Sequence, residues 1–192
     1  MDQTTTIVIV VVAIALIVLV AGLLIIRKRR SDHLKQQFGP EYDRAIKQHG
    51  DARQAETVLL QREKRVEKFS LHPLSPIERE RYAEEWSTVQ RRFVDDPSTA
   101  VIQAEKLVTT VMTARGYPMG DFEQRAADIS VHYPRVVDNY RRARELTLRH
   151  TTGQSSTEDL RQSMVYFRSL FDELLESHQT QKIEVTHERI AS

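Results

Sequence analysis

Apolar and polar positions fall into two regimes along this chain. From Ile7 to Ile26 the sequence reads IVIVVVAIALIVLVAGLLII, without a charge, hydroxyl or amide. As a helix rising about 1.5 Å per residue, such a run spans roughly 30 Å, the thickness of a bilayer's hydrocarbon core, with its backbone polar groups satisfied internally. Arg27-Lys28-Arg29-Arg30 follows at once. Beyond it, apolar residues recur at intervals of three and four among polar ones, which is the helical period. The pattern predicts an all-α chain: a single N-terminal transmembrane helix followed by a helical bundle of about four to six helices.

In chain order, Leu34, Phe38, Tyr42 and Ile46 form one stripe, interrupted at Gly39-Pro40, where proline suits the first position of a fresh helix. Asp51 is placed to cap a helix over 51–69 whose inward face is Ala52, Ala55, Leu59, Val66 and Phe69. Ser75-Pro76-Ile77-Glu78 has the capping-box arrangement and opens a helix with Ile77, Tyr82, Trp86, Val89 and Phe93 inward. Asp96-Pro97 starts the next, with the widest apolar stripe (Val101, Ala104, Leu107, Val108, Val111, Met112), closed by Gly116 and Tyr117-Pro118. A short helix carries Phe122, Ala126 and Ile129, and another runs from about Pro134 to Arg149 with Val137, Tyr140, Ala143 and Leu146 inward. The last starts near Ser156 or Thr157 and steps through Leu160, Met164, Phe167, Phe171, Leu174, Leu175 and His178.

The apolar run reads as a retained anchor rather than a cleaved signal. Its leader, Met1 to Thr6, has no Lys or Arg, the run is too long, and no small-x-small site ends it. The basic quartet then places the N-terminus outside and residues 27–192 in the cytoplasm of a cell inner (plasma) membrane protein. The span holds no ionisable residue that would mark an ion path and no GxxxG spacing. The expected partition is residues 1–6 outside, 7–26 in the membrane, 27–50 a basic juxtamembrane segment and linker helix, 51–178 a cytoplasmic helical domain, and 179–192 a loose tail.

Charge narrows the functional classes. The chain carries 28 basic and 27 acidic side chains, a net +1; the first thirty residues hold four bases and one acid, net +3, which leaves −2 for the remainder. That balance disfavours a nucleic-acid binder. There is no cysteine, hence no disulfide framework and no thiolate site.

Candidate chemistry is sparse. Arg27, Lys28, Arg29 and Arg30 are the membrane-interface residues, serving orientation and available to anionic head groups. Asp121, Glu123, Asp128 and His132 suggest a metal cluster, but no ligand spacing supports it, and caps and surface ion pairs account for them. Arg141, Arg142, Arg144 and Arg149 beside Tyr140 offer a phosphate-binding face; pairing with Glu145 and others on a solvated helix is the ordinary reading. Seven scattered histidines and the Glu84-Glu85 pair fall in no catalytic motif. No catalytic residue, cofactor or metal is therefore expected. The candidate interaction loop is Tyr117, Pro118, Met119 and Phe122, rich in side chains common at contact surfaces, although the two aromatics also suit plugging a helix junction.

Phe38-Gly39-Pro40-Glu41-Tyr42, Phe93-Val94-Asp95-Asp96-Pro97, Arg115-Gly116-Tyr117-Pro118, Asp121-Phe122-Glu123 and Thr157-Glu158-Asp159-Leu160-Arg161 together cover most of 38–175. They resemble the landmarks of an uncharacterised family of bacterial single-pass membrane proteins with a helical cytoplasmic domain. The resemblance implies a bacterial membrane protein and carries over no functional residue. The functional expectation is a non-enzymatic protein-interaction or scaffold module, in contact with membrane lipids through its anchor, with a protein partner or a homo-oligomeric assembly. The alternative is binding of an anionic ligand, lipid head group or nucleic acid, by the basic helix faces.

Overall fold

The computed structural model describes residues 3–153 and 156–176, with side chains from Val12 onward. Eight helices and no strand occur among the described residues: α1 (Gln3–Phe38), α2 (Pro40–His49), α3 (Ala52–Val66), α4 (Pro76–Asp95), α5 (Pro97–Ala114), α6 (Phe122–Ile129), α7 (Val137–Thr151) and α8 (Thr157–Glu176). The chain divides into two compact units, residues 1–59 and 60–192, the division falling inside α3.

In the first unit α1 runs unbroken through the basic quartet. Leu34, Phe38 and Tyr42 of the expected stripe are buried, Ile46 is half-buried with Ala45 buried beside it, and Pro40 opens α2 at its first helical position. A polar chain ties the three helices: the Tyr42 hydroxyl donates to Glu56 Oε1 (2.9 Å) and lies 3.2 Å from Ser31 Oγ, which then donates to it. Among the described residues no helix is long and apolar enough to cross a membrane. The run expected to do so begins at Ile7, and the side chains of residues 1–11 lie outside those described.

The second unit is built on α4, α5, α7 and α8. Ser75 caps α4 as a full capping box, and Asp96 and Asp121 cap α5 and α6 through Thr99 N–H and Gln124 N–H. These local devices set the helix starts the sequence implies. Trp86 stacks on Phe171 (4.6 Å between rings) and Gln90 meets Arg168, so α4 and α8 run antiparallel. Asn139 donates to Ser169 (3.0 Å), and Thr147 and Ser163 pair in the core (3.2 Å), which sets α7 antiparallel to α8. α5 packs against α4, α7 and α8. It is the helix with the widest buried face, as its stripe predicts.

Four expectations need correction. Ala52, placed on the inward face of the 51–69 helix, is exposed. Ile77 is 80% exposed rather than inward. It lies five residues before Tyr82, roughly 140° around the helix from the Tyr82–Trp86–Val89 stripe. The 134–149 helix begins at Val137, because Tyr133–Val136 form a turn and Val136 offers the helix no side-chain cap. The 51–69 helix ends at Val66, and Phe69 lies in the connection to α4. His178 and the expected tail lie outside the described residues.

The connection from α3 to α4 presses against the end of α5. Gly116 has φ +92°, and a Cβ there would clash with the Ser70 carbonyl oxygen. His72 N–H donates to Arg115 O (3.1 Å). Gly116→Ala meets both the left-handed conformation and a backbone clash, so it should destabilise by more than about 1 kcal/mol, read from the urea midpoint. Trp86 is the chain's only tryptophan and is buried, yet its indole N–H has no hydrogen-bond partner. Trp86→Phe keeps the stack on Phe171 and loses no bond; it should cost about 1–2 kcal/mol, against about 3–5 for Trp86→Ala, in the same melts followed by circular dichroism.

Candidate functional site

Polar groups of the second unit converge on the turn after α5 and on α6. Arg115, largely buried, donates from Nη1 to Leu174 O (2.7 Å) and so ties the end of α5 to the last turn of α8. Tyr117 is buried, with its hydroxyl 3.0 Å from His132 Nδ1 and its ring edge-on to Phe69. Asp128 is buried and accepts from Arg65 Nε (2.9 Å) and Gln124 Nε2 (2.8 Å), while Arg62 reaches Ser130 (3.3 Å). Burial first, and then Tyr133, pushes the Tyr117 phenol well above its ordinary range. Desolvation of its ring, and then the Arg115 charge, hold His132 below the usual imidazole range.

The expected interaction loop is split by this geometry. Tyr117 packs inward, and Phe122 is half-buried with its ring 4.8 Å from that of Tyr140. Pro118 and Met119 face solvent, Met119 at 66% exposure. Asp121 is a helix cap, Asp128 is engaged by Arg65, and Glu123 is exposed, so these carboxylates serve separate ends. Among the described residues no three His, Asp or Glu side chains come together as metal ligands.

The arginine run is dispersed as well. Arg144 crosses to α5, where its Nη1 meets both carboxylate oxygens of Glu105 (2.7 and 2.8 Å), and Arg142 pairs with Asp138 on its own helix (2.8 Å). Glu105 and Asp138 are thus among the other partners expected beside Glu145.

Sequence reasoning passed over the open side of α5. Two adjoining hollows of about 440 and 660 Å³ share Lys106 and Thr110; Arg81, Glu84, Glu85 and Val89 rim one, and Tyr82, Ile102 and Met119 the other. Thr109, Thr110 and Thr113 read as polar, but each hydroxyl donates to the carbonyl four residues earlier, at 2.9–3.0 Å. Their O–H donors are thus turned to the helix backbone, Thr113 Oγ1 also lying 2.8 Å from Met119 Sδ, and the surface they share with Ile102 (53% exposed) and Met119 is less polar than its composition. The Thr-x-x-x-Thr spacing on one helix was the signal that could have found it.

Arg27, Lys28, Arg29 and Arg30, expected at a membrane interface, all lie exposed on α1. No family model, curated protein or solved structure matches the chain.

The Tyr117–His132 contact yields a pH expectation. A histidine whose folded pKa lies below its unfolded value, about 6.5, contributes stability that is present above that value and lost as pH falls through the folded one. The urea midpoint should therefore fall between about pH 7 and pH 5, and His132→Gln should flatten the decline. Tyr117→Phe should cost about 0.5–1.5 kcal/mol at pH 7.5.

Proposed function

We propose that the chain is a membrane-anchored, non-enzymatic interaction module, held by Ile7–Ile26 with its N-terminus outside and residues 27–192 in the cytoplasm. The observation that carries this reading is the continuity of α1. One helix holds the apolar run, the basic quartet, and the buried Leu34 and Phe38 of the first unit. The apolar segment is thus a structural extension of a folded unit, without an intervening linker, which suits an anchor that fixes its cargo at the membrane. Tethering raises the effective concentration of a module near membrane partners without any chemistry of its own. The open side of α5, with Ile102, Met119 and the three threonines, is the surface such a module offers, and a protein partner or a second copy of the chain is its occupant in this reading.

Three measurements test it. In alkaline carbonate extraction the full chain should stay with the membrane pellet, and replacement of Ile7–Ile26 by a polar linker should release it. Because the chain has no cysteine, Thr4→Cys and Ser31→Cys label cleanly: the first should react from outside an intact cell and the second should not. Release of the full chain by carbonate would remove the anchor, and labelling of Ser31→Cys from outside would reverse the orientation. For the interaction, a photo-crosslinking residue at position 119 should give a discrete adduct that Ile102→Glu abolishes; no adduct in the native membrane would count against this face.

A further inference from the structure

We propose that the first unit carries an anionic-phospholipid site, a collar formed by Arg27, Lys28, Arg29 and Arg30 and held at head-group depth by the fold beneath it. The inference rests on the anchored reading above and adds the class of lipid that reading leaves open.

Successive residues of a helix point about 100° apart, so four consecutive basic residues on an unbroken helix face all sides of it. All four are exposed. The collar's height is set from both directions. Above, the apolar run ends at Ile26, which puts residue 27 at the edge of the hydrocarbon. Below, Leu34 is fully buried four residues after Arg30, about 6 Å along the axis. Between them Ser31 is hydrogen-bonded to Tyr42, Tyr42 to Glu56, and the Lys35 ammonium lies 5.5 Å from the centre of the Tyr42 ring. These contacts pin α2 and α3 to α1 within one turn of the quartet, so the basic residues cannot move away from the lipid phosphates on a flexible tether.

Charge selects the occupant. From Arg27 to Lys35 there are five basic residues against one acid, Asp32. A guanidinium or ammonium at phosphate depth is attracted to a head group of net negative charge and much less to a zwitterionic one, each basic residue adding an increment. A polyanion in solution would meet the same four residues but none of the depth constraint, which is why a membrane lipid is favoured.

The test uses the full chain in bilayer nanodiscs, with trace spin-labelled phosphatidylglycerol or spin-labelled phosphatidylcholine read by electron paramagnetic resonance. The protein-immobilised fraction gives the relative association of the two lipids. Phosphatidylglycerol should be preferred by about fivefold or more, the equivalent of one basic contact. The variant Arg27→Gln, Lys28→Gln, Arg29→Gln, Arg30→Gln should bring the ratio close to one. Raising salt from 0.1 to 1 M should lower the wild-type ratio, since screening shortens to about 3 Å. An immobilised component with no preference in the wild-type chain would overturn the site while leaving the anchor intact. No immobilised component with either lipid would overturn the anchor itself. A preference unchanged in the quadruple variant would mean the selectivity lies elsewhere, and the collar proposal fails.

Discussion

The close approach of Ser70 to Gly116 is the constraint on which the second unit depends. A glycine in the left-handed region lets the chain turn sharply after α5 and leaves room for the backbone of the α3–α4 connection against it. On either side of that glycine, Arg115 holds the last turn of α8 and Tyr117 reaches His132 beyond α6. Three separate segments are therefore positioned by one turn. Sharing of this kind makes the turn costly to alter, because a displaced backbone at residue 116 would carry the Arg115 and Tyr117 contacts with it.

What was legible in the sequence was what the chain decides locally. The Ser75 capping box, the Asp96 and Asp121 caps, Pro40 and Pro97 at first helical positions and Gly116 after α5 are each read from a few adjacent residues, and each is realised. The stripes of α5 and α8 are long enough for their periodicity to be unambiguous, with Ala100, Ser163 and Leu170 the buried members missing from the expected sets. Ile77 shows where this kind of reading fails: hydrophobicity suggested burial, but angular position decided against it. Partners distant in sequence were beyond reach. Nothing near Asp128 announces Arg65, 63 residues away, and nothing near Arg144 announces Glu105.

The candidate sites divide along the same line. The basic quartet was read from its neighbours in sequence alone, and the structure adds that all four side chains are exposed. The loop at Tyr117 to Phe122 was legible in composition but not in direction: the same aromatic character serves a core contact at Tyr117 and Phe122 and leaves Pro118 and Met119 in solvent. The open side of α5 was missed because threonine scores as polar. Its hydroxyl can satisfy the helix backbone instead of water, and the side chain then contributes little polarity to the surface.

The distribution of buried polar groups bears on what such a chain can offer. Asp128, Arg115, Thr147 and Ser163 are all engaged by partners that join one helix to another. A buried polar group so engaged stabilises a unique packing, and freeing it for chemistry would leave its partner desolvated and unpaired. On the open side of α5, Glu105 is already paired with Arg144 of α7, the three threonine hydroxyls donate within their own helix with Thr113 also 2.8 Å from Met119 Sδ, and Ile102 and Met119 stand in solvent. Covering that side would bury apolar area without breaking any contact between helices. Displacing the buried network would break several. On energetic grounds, then, recognition is cheapest on the α5 face, and this is the physical basis for reading the second unit as a surface to be bound.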